Sequence, residues 1–437
     1  MASTYLSKTL STPTNNKIWT YSVWLKLASA GSATESPVSS GTDANNRGIV
    51  YFNGGNNEIQ YYEGTSGTTS IHLTTNRLFR DISAWYHIVL SVDTTQATAS
   101  NRVKLYVNGV QETSLATATY PTQNYNTKIN SAVGMSIGSA NSYGGTLHFS
   151  GSMSHIHFID GTAYDATAFG EVDSTTGQWE INTSPTIADY GTNGFFILKD
   201  GNSVTDQSGK GNNFTVAGGT LTKTEDSPSN VFCTMNPLAT SSYSTLSQGN
   251  TVSTGNTAAD NGNTYGTLSA SSGKWYAECK PAAQVSTYPY IGIKQIIYHE
   301  FGRLLNSTAG IGGYSASTEF SVPSSGSLYS NNTFTSSWMA SYTTSDIIGI
   351  AVDYDNGASY VSKNGVWQNS GDPTSGASKT GASATWTPSS QDGFVFYSGD
   401  YNGSSAKWNF GNGVFGTTAV ASAGTNASGI GIFEYDV

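Results

Sequence analysis

Charge is scarce in this chain: only 11% of its 437 residues are Asp, Glu, Lys or Arg, and the balance is acidic, −10 at pH 7. Such a balance excludes the basic stripe on which nucleic-acid binding rests, so no nucleic-acid partner is expected. Cysteine is nearly absent. Cys233 and Cys279 are the only two, so no disulfide framework carries the fold, and the sequence leaves open whether this one pair bridges. No apolar run approaches the ~20 residues of a membrane-spanning helix, which argues against membrane insertion. The start, MASTYLSKTL, lacks a charged segment followed by an apolar one, so no secretion signal is read there. No internal repeat recurs at a period of roughly 20–50 residues, which excludes solenoids and propellers.

What is present points one way. Aromatic residues make up 12% of the chain, with 26 Tyr and 49 Gly, and Ser, Thr, Asn and Gly fill the gaps between short apolar runs. That pattern predicts many strands and turns and few helices, with a core built from alternating inward positions. The stretch Ser83–Thr113 is the clearest case. Trp85–Val92 and Val103–Val107 are rich in β-branched and aromatic residues, and Asn108-Gly109 suits a type I′ turn because both residues need φ > 0. Further strands are expected at Ile18–Leu27, Gly48–Phe52, Glu58–Tyr62, Ser70–Leu73, Met135–Gly138, Gly151–Ile159 and Gly194–Leu198. Spacings of about ten residues, with turn chemistry between them, suit a sandwich or jelly roll. Length suggests more than one domain. The seam is placed at EDSPSNVFCTMN (225–236), where Pro228 interrupts strand character. This gives domains 1–224 and 225–437, the second entered through a low-complexity segment, 241–263, read as loops with at most one edge strand.

Several pieces of the first half resemble the laminin-G-like, concanavalin A-like jelly rolls, in the form encoded by tailed phages. They are YLSKT, NNKIWTYSVWLK, LFRDISAWYHIVLSVDTTQATASNRVKLYVNG, HFIDGTA, YGTNGFFILKD and DQSGKGNNFTVAGG. In the second half SSGKWYAEC, DIIGIAVDYDNGASYVSKNGVW and AKWNFGNGVF resemble, in that order, the strands of a SPRY domain, with QIIYHEFGRLL (295–305) departing from the pattern. Together these resemblances imply an all-β chain of two antiparallel β-sandwich domains, a concanavalin-like jelly roll and a SPRY-like sandwich. They also imply a non-enzymatic virion protein, placed in a tail fibre, an appendage or a capsid decoration. Lectin-like binding of host-surface glycans or of other virion proteins, release by lysis, and a homo-oligomer (trimeric or capsid-symmetric) are the further expectations. The ending Phe433–Val437 is strand-like, and similar phage chains continue past such a point, so a fragment or shortened version is expected.

Chemistry finds little footing in the motifs. Glycoside hydrolysis needs two carboxylates flanking the bond. Glu171-Val172-Asp173 supplies two acids, but Ser174, Thr175 and Thr176 follow where a third would stand, so both read as solvated loop residues. His299-Glu300 begins a zincin-like motif, yet Arg303 occupies the second ligand's place. His155 and His157 share a strand face without a third ligand. Calcium is considered at Asp200 and Asp206, whose loops offer hard oxygens; Asp, Asn and Gly are equally the residues of tight turns. No other cofactor is expected. For sugars, aromatic faces with polar neighbours are required. Tyr61, Tyr62, Tyr120, Tyr125 and Tyr143 lie in or beside Asn/Thr/Ser-rich loops of the first half, and Tyr288, Tyr290, Tyr314 and Tyr329 form a similar set in the second. Trp19, Trp24, Trp85, Trp275 and Trp408 are expected to anchor cores.

Overall fold

The structure, a computed structural model, describes residues 4–28, 33–174, 177–199, 203–221, 226–229, 231–256, 261–296, 320–330, 333–389, 393–422, 424–425 and 431–435. The chain divides into two compact units, residues 1–223 with 227–231, and residues 224–226 with 232–437. Both are antiparallel β-sandwiches. No described helix is long and apolar enough to cross a membrane.

In the first unit one sheet has eight strands, in the order Leu115–Thr119, Thr68–Leu78, Glu58–Thr65, Asn46–Phe52, Glu35–Asp43, Gly134–Ile137, Tyr5–Thr9 and Thr215–Gly218. The other has six: Phe195–Ile197, Gly151–Asp160, Ile18–Leu27, Tyr86–Asp93, Val103–Val107 and Val110–Gln111. Alternate residues meet between the sheets: Tyr21, Val23 and Leu25 from one strand, Ile88, Leu90 and Val92 from the next, Val50, Phe52, Ile59 and Tyr61 from the facing sheet. Asn108 and Gly109 take φ of 47° and 80°, as a two-residue hairpin with the sheet's twist demands. The strand Glu35–Asp43 was not expected. Its sequence, ESPVSSGTD, is short of large apolar residues and contains Pro37; the register slips between Glu35 and Val38, which lets a proline sit inside a sheet.

The outer side of the six-stranded sheet is covered by the chain's own segment between the strands Gly151–Asp160 and Phe195–Ile197. Trp24 stacks on His87 at 4.7 Å and His87 on Trp179 at 5.9 Å, with the Trp179 indole N–H donating to His87 Nδ1 (3.0 Å). Phe169, Tyr190 and Ala166 complete this second apolar layer. His155 and His157 do share a face, both against Phe196, and the latter's ring stacks on it at 3.9 Å. Burial lowers the His87 pKa to about 3 and holds His157 well below the usual imidazole range. All of this makes the Ile18–Leu27 strand buried on both faces, where alternation alone leads one to expect a single buried face.

In the second unit the eight-stranded sheet is built on Lys274–Ala283, Ile348–Asp353, Ala358–Lys363 and Ser405–Asn409. The six-stranded one is built on Gly393–Tyr401, Tyr290–Ile296 and Phe320–Val322. The low-complexity segment is a correction: it forms three paired strands, Ser244–Ser247, Val252–Gly255 and Asn261–Tyr265. Small hydroxyl side chains pair as edge or second strands when a neighbouring sheet supplies the hydrogen bonds. Trp275 is a second correction. It is 42% exposed and donates its indole N–H to the Ser272 carbonyl (2.7 Å), while Trp408, fully buried, stacks on Phe410 at 5.3 Å in the core. Cys233 and Cys279 are both buried and form no disulfide, so the open question of their pairing is answered in the negative.

Candidate functional site

Three neighbouring strands of the first unit, Asn46–Phe52, Glu58–Thr65 and Thr68–Leu78, send every second side chain away from the core. Val50, Ile59, Tyr61, Ile71 and Leu73 point inward; Arg47, Tyr51, Gln60, Tyr62, His72 and Thr74 therefore share the outer face. Cross-strand pairing sets Tyr51 opposite Gln60 and Tyr62 opposite His72. The Tyr51 hydroxyl donates to Gln60 Oε1, and His72 Nε2 lies 3.0 Å from the same oxygen, with Thr74 Oγ1 3.3 Å from that ring nitrogen. Gln60 Nε2 and Asn53 Nδ2 both donate to Glu58 Oε1, at 3.1 and 2.9 Å.

At the other end of this face the Arg47 guanidinium sits over two tyrosine rings, 5.4 Å from the centroid of Tyr62 and 4.9 Å from that of Tyr143. Tyr143 arrives from a short 3-10 turn, Asn141–Tyr143, whose Ser142 hydroxyl meets the Ser39 hydroxyl at 2.8 Å and which ends on Gly144 at φ 84°. Burial raises the Tyr51 and Tyr143 hydroxyl pKa values, with Arg47 pulling both down, and burial lowers that of His72, which keeps the imidazole neutral. Beside the strand's start a cleft of about 220 Å³ is lined by Asn16, Thr42, Asn46, Asn126, Lys128 and Val133 among others. The face thus offers half-buried aromatic rings with their hydroxyls, an imidazole and a guanidinium, held in place by the buried Gln60 amide. Among the described residues one carboxylate, Glu58, belongs to it.

All of these residues lie inside a segment with a recognisable family signature. Residues 2–167 match the concanavalin A-like lectin/glucanases superfamily. The SPRY domain of human HERC1 is similar at 15% identity and a TM-score of 0.29, over 40% of this chain and 96% of that one. A SAP-like pentraxin from Limulus polyphemus is similar at 15% identity and 0.28, over 37% and 72%. Domain 4 of AbnA, a GH43 extracellular arabinanase from Geobacillus stearothermophilus solved with arabinotriose, is similar at 17% identity and 0.26, over 36% and 65%. Likenesses this distant carry no functional argument. No curated protein matches the sequence.

Within the concanavalin-like unit the expected tyrosines separate. Tyr62 and Tyr143 are brought together through Arg47. Tyr61 is 1% exposed, its hydroxyl bound to Glu63 Oε1 at 2.7 Å in the core, so it cannot meet a ligand on this face. Tyr120 and Tyr125 are half-buried and pack on the core, the latter bonded to the Thr65 hydroxyl at 2.9 Å. Arg47, Tyr51, Gln60 and His72 were missed from sequence. The signal was there in outline: hydrophilic and aromatic residues alternate with apolar ones on successive strand candidates, and only the pairing register aligns them.

Asp206 accepts from Phe196 N, Ser208 N, Ser208 Oγ and Asn212 N at 2.8–2.9 Å, so the turn's own donors occupy both its oxygens. Asp200 lies outside the described residues, as do Tyr314 and the segment from His299 to Arg303. No group of three or more metal-ligating side chains occurs among the described residues. Glu171 is exposed on a short strand, directly opposite Glu180. In the second unit Tyr288, Tyr290 and Tyr329 do meet, in a chain of rings from Tyr401 to Phe334 with centroids 4.8–5.6 Å apart. Tyr290, at 8% exposure, is a packing residue of that chain and not a surface one.

Proposed function

We propose that this is a non-enzymatic glycan-binding protein, and that the outer face of the eight-stranded sheet in the concanavalin-like unit takes the saccharide. The observation that carries the reading is the Tyr62–Arg47–Tyr143 stack set beside the Tyr51–Gln60–His72 hydrogen-bond ladder. Ring faces suit the apolar side of a pyranose, and the hydroxyl and imidazole groups suit its hydroxyls. The superfamily named by the match includes both lectins and glucanases; the single carboxylate of this face favours the former. The setting proposed with it is the surface of a tailed-phage virion, in a fibre, appendage or capsid decoration that reaches host glycans or other virion proteins. Support for that setting comes from the sequence resemblance alone. Many copies, as a trimer or in capsid symmetry, fit a shallow site, because arraying weak contacts multiplies avidity by roughly 10²–10⁴ when the spacing matches.

Affinity electrophoresis through gels of β-glucan, agar and bacterial capsular polysaccharides tests the function, with a reducing-end assay on the same samples. Retardation by at least one polysaccharide without release of reducing ends is expected. Turnover that disappears in Glu171→Gln restores the hydrolase, and the absence of retardation by any polysaccharide leaves a spacer without a ligand.

A further inference from the structure

We infer that Arg47 is a receptor for a carboxylate, so that the saccharide taken by this face is an acidic one bearing a uronic-type carboxyl group. The inference rests on the glycan-binding reading above and names its ligand class. Its first ground is what Arg47 lacks. A guanidinium has five N–H donors and a permanent charge. The two ring faces answer part of the charge but offer no acceptor. Among the described residues no carboxylate pairs with Arg47, and its Nε, shut away from solvent, meets no acceptor.

The second ground is how the neighbouring acids are spent. Asp43, in the adjoining strand, turns its oxygens onto the Asn45 and Asn46 amides and the Thr42 hydroxyl, at 2.8–3.2 Å. Glu63 faces the core, where it accepts from Tyr61 and from the Lys128 and Ile129 amides. Third, the two strand positions beside Arg47 have no side chains. Gly41 and Gly64 are its cross-strand partners. A Cβ at Gly41 would come within 2.9 Å of the Arg47 Cα and Cβ, and one at Gly64 within 2.9 Å of the Tyr62 hydroxyl. Side chains there would displace the stack. Their absence makes the trough in which Tyr62 lies beside the guanidinium. A planar carboxylate matches the guanidinium fork in two parallel hydrogen bonds, which a neutral hydroxyl cannot do. Because the whole chain carries −10, a polyanion gains no long-range attraction; the contact must be local and must depend on this one side chain.

The test is a glycan array of neutral, uronate-, sialate- and sulfate-bearing saccharides, probed with the full chain as wild type, Arg47→Lys, Arg47→Gln and Tyr62→Ala. The saccharides bound are expected to carry a carboxylate. Reducing that carboxyl group to an alcohol, or Arg47→Gln, is expected to weaken binding by roughly tenfold or more, with Arg47→Lys between, since charge remains but the fork is lost. The reduced ligand makes the same test without a variant, should Arg47→Gln fold poorly. Bound saccharides that are neutral or only sulfated, indifferent to Arg47→Gln yet lost in Tyr62→Ala, overturn the carboxylate assignment and leave the face intact. Binding by wild type that Tyr62→Ala does not touch, or no binding at all, overturns the face and this inference with it.

Discussion

Asp400 lies in the interior of the second unit with three serine hydroxyls, of Ser244, Ser253 and Ser398, each 3.2 Å from its carboxyl oxygens. Burial raises its pKa to about 7, against which the three long hydrogen bonds work only in part. The folded chain therefore binds a proton here that the unfolded chain releases near pH 4. The contribution is present below about pH 4 and is lost as pH rises towards 7, with a slope of at most about 1.4 kcal/mol per pH unit. Asp400→Asn cannot titrate. The stability difference between wild type and Asp400→Asn, from urea unfolding at pH 4 to 8, should shift against wild type up to pH 7 and then level. Equal pH slopes in the two proteins would show that the carboxyl group ionises freely. Adjacent tyrosines teach a related lesson about legibility. Tyr61 and Tyr62 look alike in sequence and stand on opposite faces of one strand, one sealed in the core and one on the outer face. Composition finds both; only the strand's parity separates them. Trp275 and Trp408 differ for another reason: they share one face of their sheet, and Trp275 is exposed because it stands near the start of its strand, ahead of the core residues Ala277 and Cys279.

The hairpin turn at Asn108-Gly109 and the segment that covers the six-stranded sheet are coupled through one contact. A Cβ at Gly109 would meet the Trp179 ring at 2.4 Å, at a φ of 80° that disfavours any side chain. Gly109→Ala should therefore cost more than backbone strain alone, about 2 kcal/mol or more, and should loosen the covering segment. Gly144→Ala serves as the control, with φ 84° and open space around its Cβ. The expected result is a lower melting temperature for Gly109→Ala than for Gly144→Ala, with protease cleavage appearing between the strands Gly151–Asp160 and Phe195–Ile197. Equal melting and no cleavage would mean that Trp179 does not hold the segment down. Strands with strong β-branched or aromatic content, such as Ile18–Leu27 and Val103–Val107, were legible to the residue. Glu35–Asp43 and the three strands of the Ser/Thr-rich segment were not, because their pairing is dictated by neighbouring strands and not by their own side chains.

At the scale of the whole molecule, two antiparallel sandwiches follow from alternation and turn chemistry, and the concanavalin-like character of the first is carried by its motifs. The candidate face was only half visible. Tyr62 and Tyr143 are 81 positions apart in a sequence that never shows them touching, and the residue that joins them, Arg47, is ordinary on its own. Strand order brings the three together. We propose that a glycan sits on this face of this unit. Hydroxyl-radical footprinting of the full chain, with and without a polysaccharide that retards it, tests that most directly. Tyr51, Tyr62, His72 and Tyr143 should lose reactivity on binding, while Tyr288, Tyr329 and Tyr401 of the second unit keep theirs. Protection confined to the second unit's tyrosines, with Tyr62 and Tyr143 as reactive as before, would contradict it.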